Sequence, residues 1–293
     1  MKRRAILAGA VLALVASLAG GAWANRERLM LAFLGAKTEK RTLAEQEALI
    51  LPHIRVFQPT AGSPPFPAIV QFHGCAGYRP DFMAQWAKVG TEAGFLVIAV
   101  DSMSPRGIDR EEALSSVCAG KRLIGQERAG DVAAALAAVA ARKDVDPARI
   151  VAAGWSHGAW SLMDYLALSA ASQTPPSLKG EAPAIDPAGV IAFYPYCGEG
   201  TWSRLLNWNT KAKVLALIAG ADTIVDGAEC RARFEAIRQA GTPVDLVWYE
   251  NADHVFDDAG LVGGEFAHYY GAAAAEDAAR RYRSFLEAIR SRP

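Results

Sequence analysis

Ser156 stands between Gly154 and Gly158 in the run RIVAAGWSHGAW (149–160), directly behind an apolar stretch. A serine projected from a sharp strand-to-helix turn is a nucleophile for acyl chemistry. Glycines two residues either side suit that turn, because β-carbons there would collide with the adjoining strand and helix. The pattern is short, and the rival reading is a serine that merely caps the following helix. Its partners have to decide. A hydroxyl is a weak nucleophile that needs a base, and the base needs an orienting carboxylate. Of the histidines at 53, 73, 157, 254 and 268, His254 in YENADHVFDD follows an apolar run and precedes the last helical stretch, where a base would be brought over the sheet edge. His53 precedes an early strand and His268 falls in a helix-like, surface stretch. For the acid, LIAGADTIVDGAEC (217–230) offers Asp222 directly after a buried run, whereas Asp226 reads as the N-cap of the next helix. A tetrahedral intermediate also requires N–H donors aimed at its oxyanion. FHGCAG (72–77) can supply one from Cys75 or a neighbour, beside the N–H of His157, with His73 organising that loop or simply filling core.

These residues need a scaffold that presents them together. Apolar runs at PAIVQF (67–72), FLVIAV (95–100), DPARIVAAG (146–154), GVIAFYP (189–195), KVLALIAG (213–220) and VDLVWYE (244–250) read as strands buried on both faces, after a strand-like HIRVFQP. Helical patterns at 81–93, within 121–143, from Ala159 onward, at 228–239 and at 272–290 alternate with them. Such alternation specifies an α/β fold, a mostly parallel doubly wound sheet with helices on both faces. No linker divides it, so one catalytic domain over 51–293 is expected after a lead-in at 25–50. Ligands of such sheets bind at the carboxyl ends of the strands, where Ser156, Asp222, His254 and the Cys75 loop all fall. The chain order Ser, Asp, His is that of the α/β hydrolases and of neither other common triad.

The 31 basic and 31 acidic residues cancel, and no basic stripe interleaved with aromatics supports a nucleic-acid role. Lys2, Arg3 and Arg4 precede an apolar run ending in Ala22-Trp23-Ala24, the form of a secretory signal peptide cleaved after Ala24. The run from Ala5 to Ala24 is also long enough to act as an uncleaved inner-membrane anchor. Either way an exported protein is expected, periplasmic or secreted, with membrane contact only if the segment stays. Export in turn makes disulfides plausible among Cys75, Cys118, Cys197 and Cys230.

VQFHGCAG, GFLVIAVDSMSPRG, RIVAAGWSHGAW, IAFYPYCG, GADTIVDGAEC and YENADHVFD resemble, in order and spacing, dienelactone hydrolase-like members of the α/β-hydrolase superfamily, over roughly residues 50–290. The resemblance implies a hydrolase with no cofactor and no metal, with Ser156, Asp222 and His254 as its triad. The founding enzymes use a cysteine nucleophile. Serine here favours a general carboxylic ester or lactone over a dienelactone. The resemblance also implies the disulfide pairs Cys75–Cys118 and Cys197–Cys230. Arg106 in SPRG lies past a strand end, where it could meet a substrate carboxylate or close a buried salt bridge. Tyr78, Trp155, Trp160, Tyr194 and Trp202 could wall an acyl pocket. The expected function is a serine esterase acting on a small molecule. A catalytically silent binding protein of the envelope, a peptidase or an acyltransferase on the same fold are the alternatives.

Overall fold

The computed structural model describes residues 25–208 and 210–291, so the signal or anchor expected over 1–24 lies outside it. In chain order the elements are α1 (Arg26–Lys37), α2 (Leu43–Ile50), β1 (Ile54–Phe57), β2 (Phe66–Phe72), α3 (Pro80–Glu92), β3 (Leu96–Val100), α4 (Gly125–Ala140), β4 (Val145–Trp155), α5 (His157–Ala170), β5 (Gly189–Phe193), β6 (Lys213–Ala219), α6 (Gly227–Gln239), β7 (Val244–Tyr249) and α7 (Ala272–Arg290). The strands form one sheet in the order β1-β3-β2-β4-β5-β6-β7. Only β1 runs antiparallel, pairing Ile54 with Val100 and Phe57 with Val97. Val70 of β2 lies between Ile98 of β3 and Ala152 of β4, which puts β2 and β4 at the centre.

Both faces of the sheet's centre are covered, which is why β3, β5 and the second half of β4 are apolar, whereas the edge strands β1 and β7 carry Arg55 and Asp245 and are partly exposed. Along β2, Ala68, Val70 and Phe72 enter a core closed by α2, α4, α5 and α6. Ile69 points the other way, into a core closed by α3 and α7. The period-2 alternation of a strand therefore feeds two cores at once. Each fully buried aliphatic side chain contributes about 1.5–3 kcal/mol by leaving water. Among the described residues no helix is long and apolar enough to cross a membrane.

Helix ends are fixed by local chemistry. Thr42 and Glu45 form a reciprocal capping box at the start of α2, with bonds of 3.2 and 2.7 Å. Asp226 caps α6 by accepting from the N–H groups of Ala228 and Glu229 at 2.9 and 3.1 Å. The helix expected within 121–143 begins only at Gly125, because Leu123 holds a left-handed backbone at φ 48°. Removing the α6 cap without touching the sheet is expected to cost about 1 kcal/mol. Asp226→Ala should lower the unfolding free energy extrapolated from urea titration by that amount, with m unchanged.

Candidate active site

The turn that carries Ser156 is strained in a way that two glycines permit. Ser156 sits at φ 52° and ψ −116°, a conformation seldom adopted by residues with side chains. Its N–H donates to the carbonyl of Phe193 on the neighbouring strand at 2.9 Å, and its own carbonyl accepts from Trp160 at 2.9 Å. A β-carbon on Gly154 would lie 2.5 Å from the Ala159 nitrogen, and one on Gly158 would lie 2.1 Å from the carbonyl oxygen of Phe72. Neither contact is possible without moving backbone. Both positions must stay bare for α5 to start beside the end of β2.

The loops after β6 and β7 bring the other two residues to this turn. His254 Nε2 lies 3.0 Å from Ser156 Oγ, and His254 Nδ1 lies 2.8 Å from Asp222 Oδ2. With Nδ1 protonated and donating to Asp222, Nε2 is left to accept from the serine hydroxyl. Asp222 Oδ1 accepts from the N–H groups of Ile224 and Val225, each at 2.9 Å, so both carboxylate oxygens are engaged. Asp253 ties the two loops together. It accepts from the Thr223 N–H at 2.8 Å and from the His254 N–H at 2.7 Å. Beneath the imidazole, the Tyr194 ring packs with its centroid 4.7 Å away, and its hydroxyl donates to Asp257 Oδ1 at 2.7 Å.

The residues expected to supply oxyanion donors lie on either side of Ser156, His157 directly after it and the Cys75 loop against it. The N–H of His157 belongs to the first turn of α5, where donors lack intrahelical acceptors and the helix dipole is positive. The Cys75 loop follows β2 and faces it, with Gly74 approaching Ser156 so closely that a β-carbon there would touch Ser156 Cβ at 3.7 Å. His73 organises this loop. Its Nδ1–H donates to the Gly74 carbonyl at 2.7 Å and its Nε2 accepts from the Ser102 N–H at 3.2 Å. Burial and the nearby Arg128 push its pKa down to about 3, so it is neutral. Disulfides join Cys75 to Cys118 and Cys197 to Cys230, the pairs that the resemblance implies.

The substrate-contact expectations divide. Tyr78 lines an open cleft of about 510 Å³ beside the oxyanion loop, with Ala76, Gly77, Met103 and Ile108. Arg106 does not face that cleft as an anion receptor. Its guanidinium is consumed by Asp131, at 2.8 and 3.1 Å, and by the Ser102 carbonyl at 2.7 Å, and only 9% of its side chain is exposed. The buried salt bridge is the reading that holds. Trp155 is also corrected: it ends β4 with the parity of the second core, stacks on Phe193 at 5.0 Å and donates to Asp257 at 3.1 Å. Its ring is behind the sheet and walls no pocket. Trp160 and Tyr194 are buried as well.

Three polar residues at the site carry no sequence signal. Arg128 sits in an Ala-rich helix where a charge reads as solvated, and Asp253 and Asp257 flank His254 like loop surface. Only the fold reveals their partners. Among the described residues no group of three or more metal-ligating side chains assembles.

A parallel-centred sheet with a serine elbow, an acid after β6 and a histidine after β7 defines an α/β-hydrolase fold. The sequence pattern of the dienelactone hydrolase family matches residues 54–290, and the chain belongs to that family. It is a carboxylic ester hydrolase. Solved structures share the fold at low identity. One is a thermophilic esterase from the planctomycete Thermogutta terrifontis with propionate bound, 18% identical, TM-score 0.59, covering 82% of this chain and 91% of that one. Another is a dienelactone hydrolase-like promiscuous phosphotriesterase from metagenomic libraries, 20% identical, TM-score 0.60, covering 80% and 92%. No curated protein matches the sequence.

Asp257 gives the site a pH signature. Burial pushes its pKa up to about 6, despite the bonds from Tyr194 and Trp155 that favour its charged form. The folded state thus holds a proton that the unfolded chain has already released near its ordinary value of 3.8. This group's contribution to stability is present below pH 4 and is lost as the pH rises from about 4 through about 6. In urea titrations across that window, Asp257→Asn should therefore remove a downward component from the stability-against-pH curve. An unchanged slope would show that the buried carboxyl is already ionised at pH 4.

Proposed function

We propose that the protein is an exported serine hydrolase that cleaves carboxylic esters or lactones through Ser156, His254 and Asp222. The observation that carries this reading is the unbroken chain of hydrogen bonds, 3.0 Å and then 2.8 Å, from a strained serine through His254 to a buried carboxylate. Ser156 Oγ attacks the carbonyl carbon while His254 Nε2 takes its proton. The carbonyl oxygen becomes an oxyanion held by the N–H groups of His157 and Cys75. Asp222 fixes the imidazole tautomer and stabilises the imidazolium. Collapse of the intermediate expels the alcohol, which receives the proton from His254 and leaves an acyl-serine. A water molecule, deprotonated by His254, then attacks that acyl group and the serine is regenerated.

The cleft beside Tyr78 is the proposed substrate-binding region, open to solvent and floored by Met103 and Ile108. An open cleft suits a small soluble ester. That fold neighbours include an esterase bound to propionate supports an ester substrate. Export is supported by two disulfides and by the leader in the sequence, which together point to an oxidising compartment.

Hydrolysis of p-nitrophenyl esters from acetate to decanoate tests the reading. Wild-type protein should turn over the short members and react covalently with a fluorophosphonate. Ser156→Ala should lose about four or more orders of magnitude in kcat/KM and all labelling. Wild-type protein that neither hydrolyses an ester nor takes the label would overturn the proposal and leave a binding protein on a hydrolase fold.

A further inference from the structure

Arg128 is a buried cation that the mechanism above does not use. It projects from α4 with 0% of its surface exposed. Its three acceptors are all neutral: Nη1 donates to the His73 carbonyl at 2.7 Å and to His157 Nδ1 at 3.0 Å, and Nε donates to Ser102 Oγ at 3.0 Å. Among the described residues no carboxylate lies within ion-pairing distance of it, since Asp131 is taken by Arg106. Burying a guanidinium without a paired anion is costly, and a helix needing only packing would place an apolar residue there.

Where those bonds go suggests what the charge is for. His73 lies two residues before Cys75, on the loop that offers one oxyanion donor, and His157 is the residue that offers the other. A single nitrogen therefore joins the two halves of the oxyanion hole from beneath. His157 is kept neutral by burial and by Arg128 itself, so Nδ1 accepts from the guanidinium. The fixed approach of Gly158 to the Phe72 and His73 carbonyls supplies the same registration sterically.

We infer that Arg128 is a positioning residue of the oxyanion hole, which sets the spacing of the His157 and Cys75 N–H groups and supplies buried positive charge that favours the anionic intermediate over the neutral ester. The inference rests on the serine-hydrolase reading. Charge beneath the hole acts only once the carbonyl oxygen becomes negative, so its loss should appear in kcat and leave KM nearly alone.

The test compares wild type, Arg128→Gln, Arg128→Lys and Ser102→Ala on p-nitrophenyl acetate, alongside inhibition by an arylboronic acid whose adduct with serine is anionic. Arg128→Gln should lower kcat about 30- to 100-fold, below the loss typical of deleting an oxyanion donor itself, with KM within about threefold of wild type. The boronate inhibition constant should rise by a comparable factor, a response that general loosening of the fold would not produce. Arg128→Lys, which keeps the charge but not the fork, should recover part of both losses. Ser102→Ala removes only the Nε acceptor. It should lower kcat about three- to tenfold, and it decides the matter if the Arg128 variants fail to fold. Folded variants with wild-type kcat, or with losses confined to KM, would overturn the inference while leaving the esterase reading intact. Absence of hydrolysis by wild type would overturn both.

Discussion

The first turn of α5 passes so close to the end of β2 that no side chain fits between them, and the rest of the site depends on that contact. The helix can start there only because Gly158 faces the Phe72 carbonyl and Gly154 faces Ala159 with no β-carbon between. Ser156 takes up the resulting strain in its backbone, at φ 52°, and its hydroxyl is thereby pushed up to the imidazole of His254. The same closeness sets the Cys75 loop opposite the amino end of α5. The proposed nucleophile and the proposed oxyanion donors thus follow from one steric constraint, paired with two loops that deliver Asp222 and His254.

Behind this turn lies a buried polar layer rather than an apolar one. Arg106 and Asp131 pair directly, Asp101 accepts from Met103, from Ser104 and from the Ser104 hydroxyl, and Arg128 spans His73, Ser102 and His157. Two cations and two anions balance over the cluster. Charge balance matters because each ion has left water, and an unbalanced charge in so confined a space would displace the fold. Both histidines in the layer are held neutral, so its charges are those of Arg106, Arg128, Asp101 and Asp131, with Arg128 the one bonded to the His73 carbonyl and to His157.

The central strands were legible because burial on both faces demands apolar residues at nearly every position, a signal that no surface element gives. All seven apolar or strand-like segments correspond to strands of the one sheet. That Ser156, Asp222 and His254 come together was legible for a related reason, since each lies within five residues of a strand's carboxyl end, where the chain leaves the sheet. What escaped is whatever depends on side-chain direction across the fold. Trp155 adjoins Ser156 in sequence, yet strand parity sends its ring to the opposite face. Arg106 looks like an anion receptor until Asp131, from α4, is placed against it. Arg128 and Asp257 are charged residues that composition assigns to solvent, and only the packing of α4 and of the His254 loop buries them.

All four cysteines lie at one end of the molecule. Cys75, Cys118, Cys197 and Cys230 follow β2, β3, β5 and β6, on the edge where the strands give way to loops. Irregular segments are ordinarily where a protein opens first, since few buried contacts hold them. Loops of 43 and 33 residues closed covalently lose much of the entropy that such opening would gain, by about 4 kcal/mol each in the chain-entropy model. Cross-links thus brace the rim that carries Ser156 and His254, while the opposite rim is held by packing, backbone hydrogen bonds and ion pairs such as Arg142–Asp144 and Arg149–Asp146.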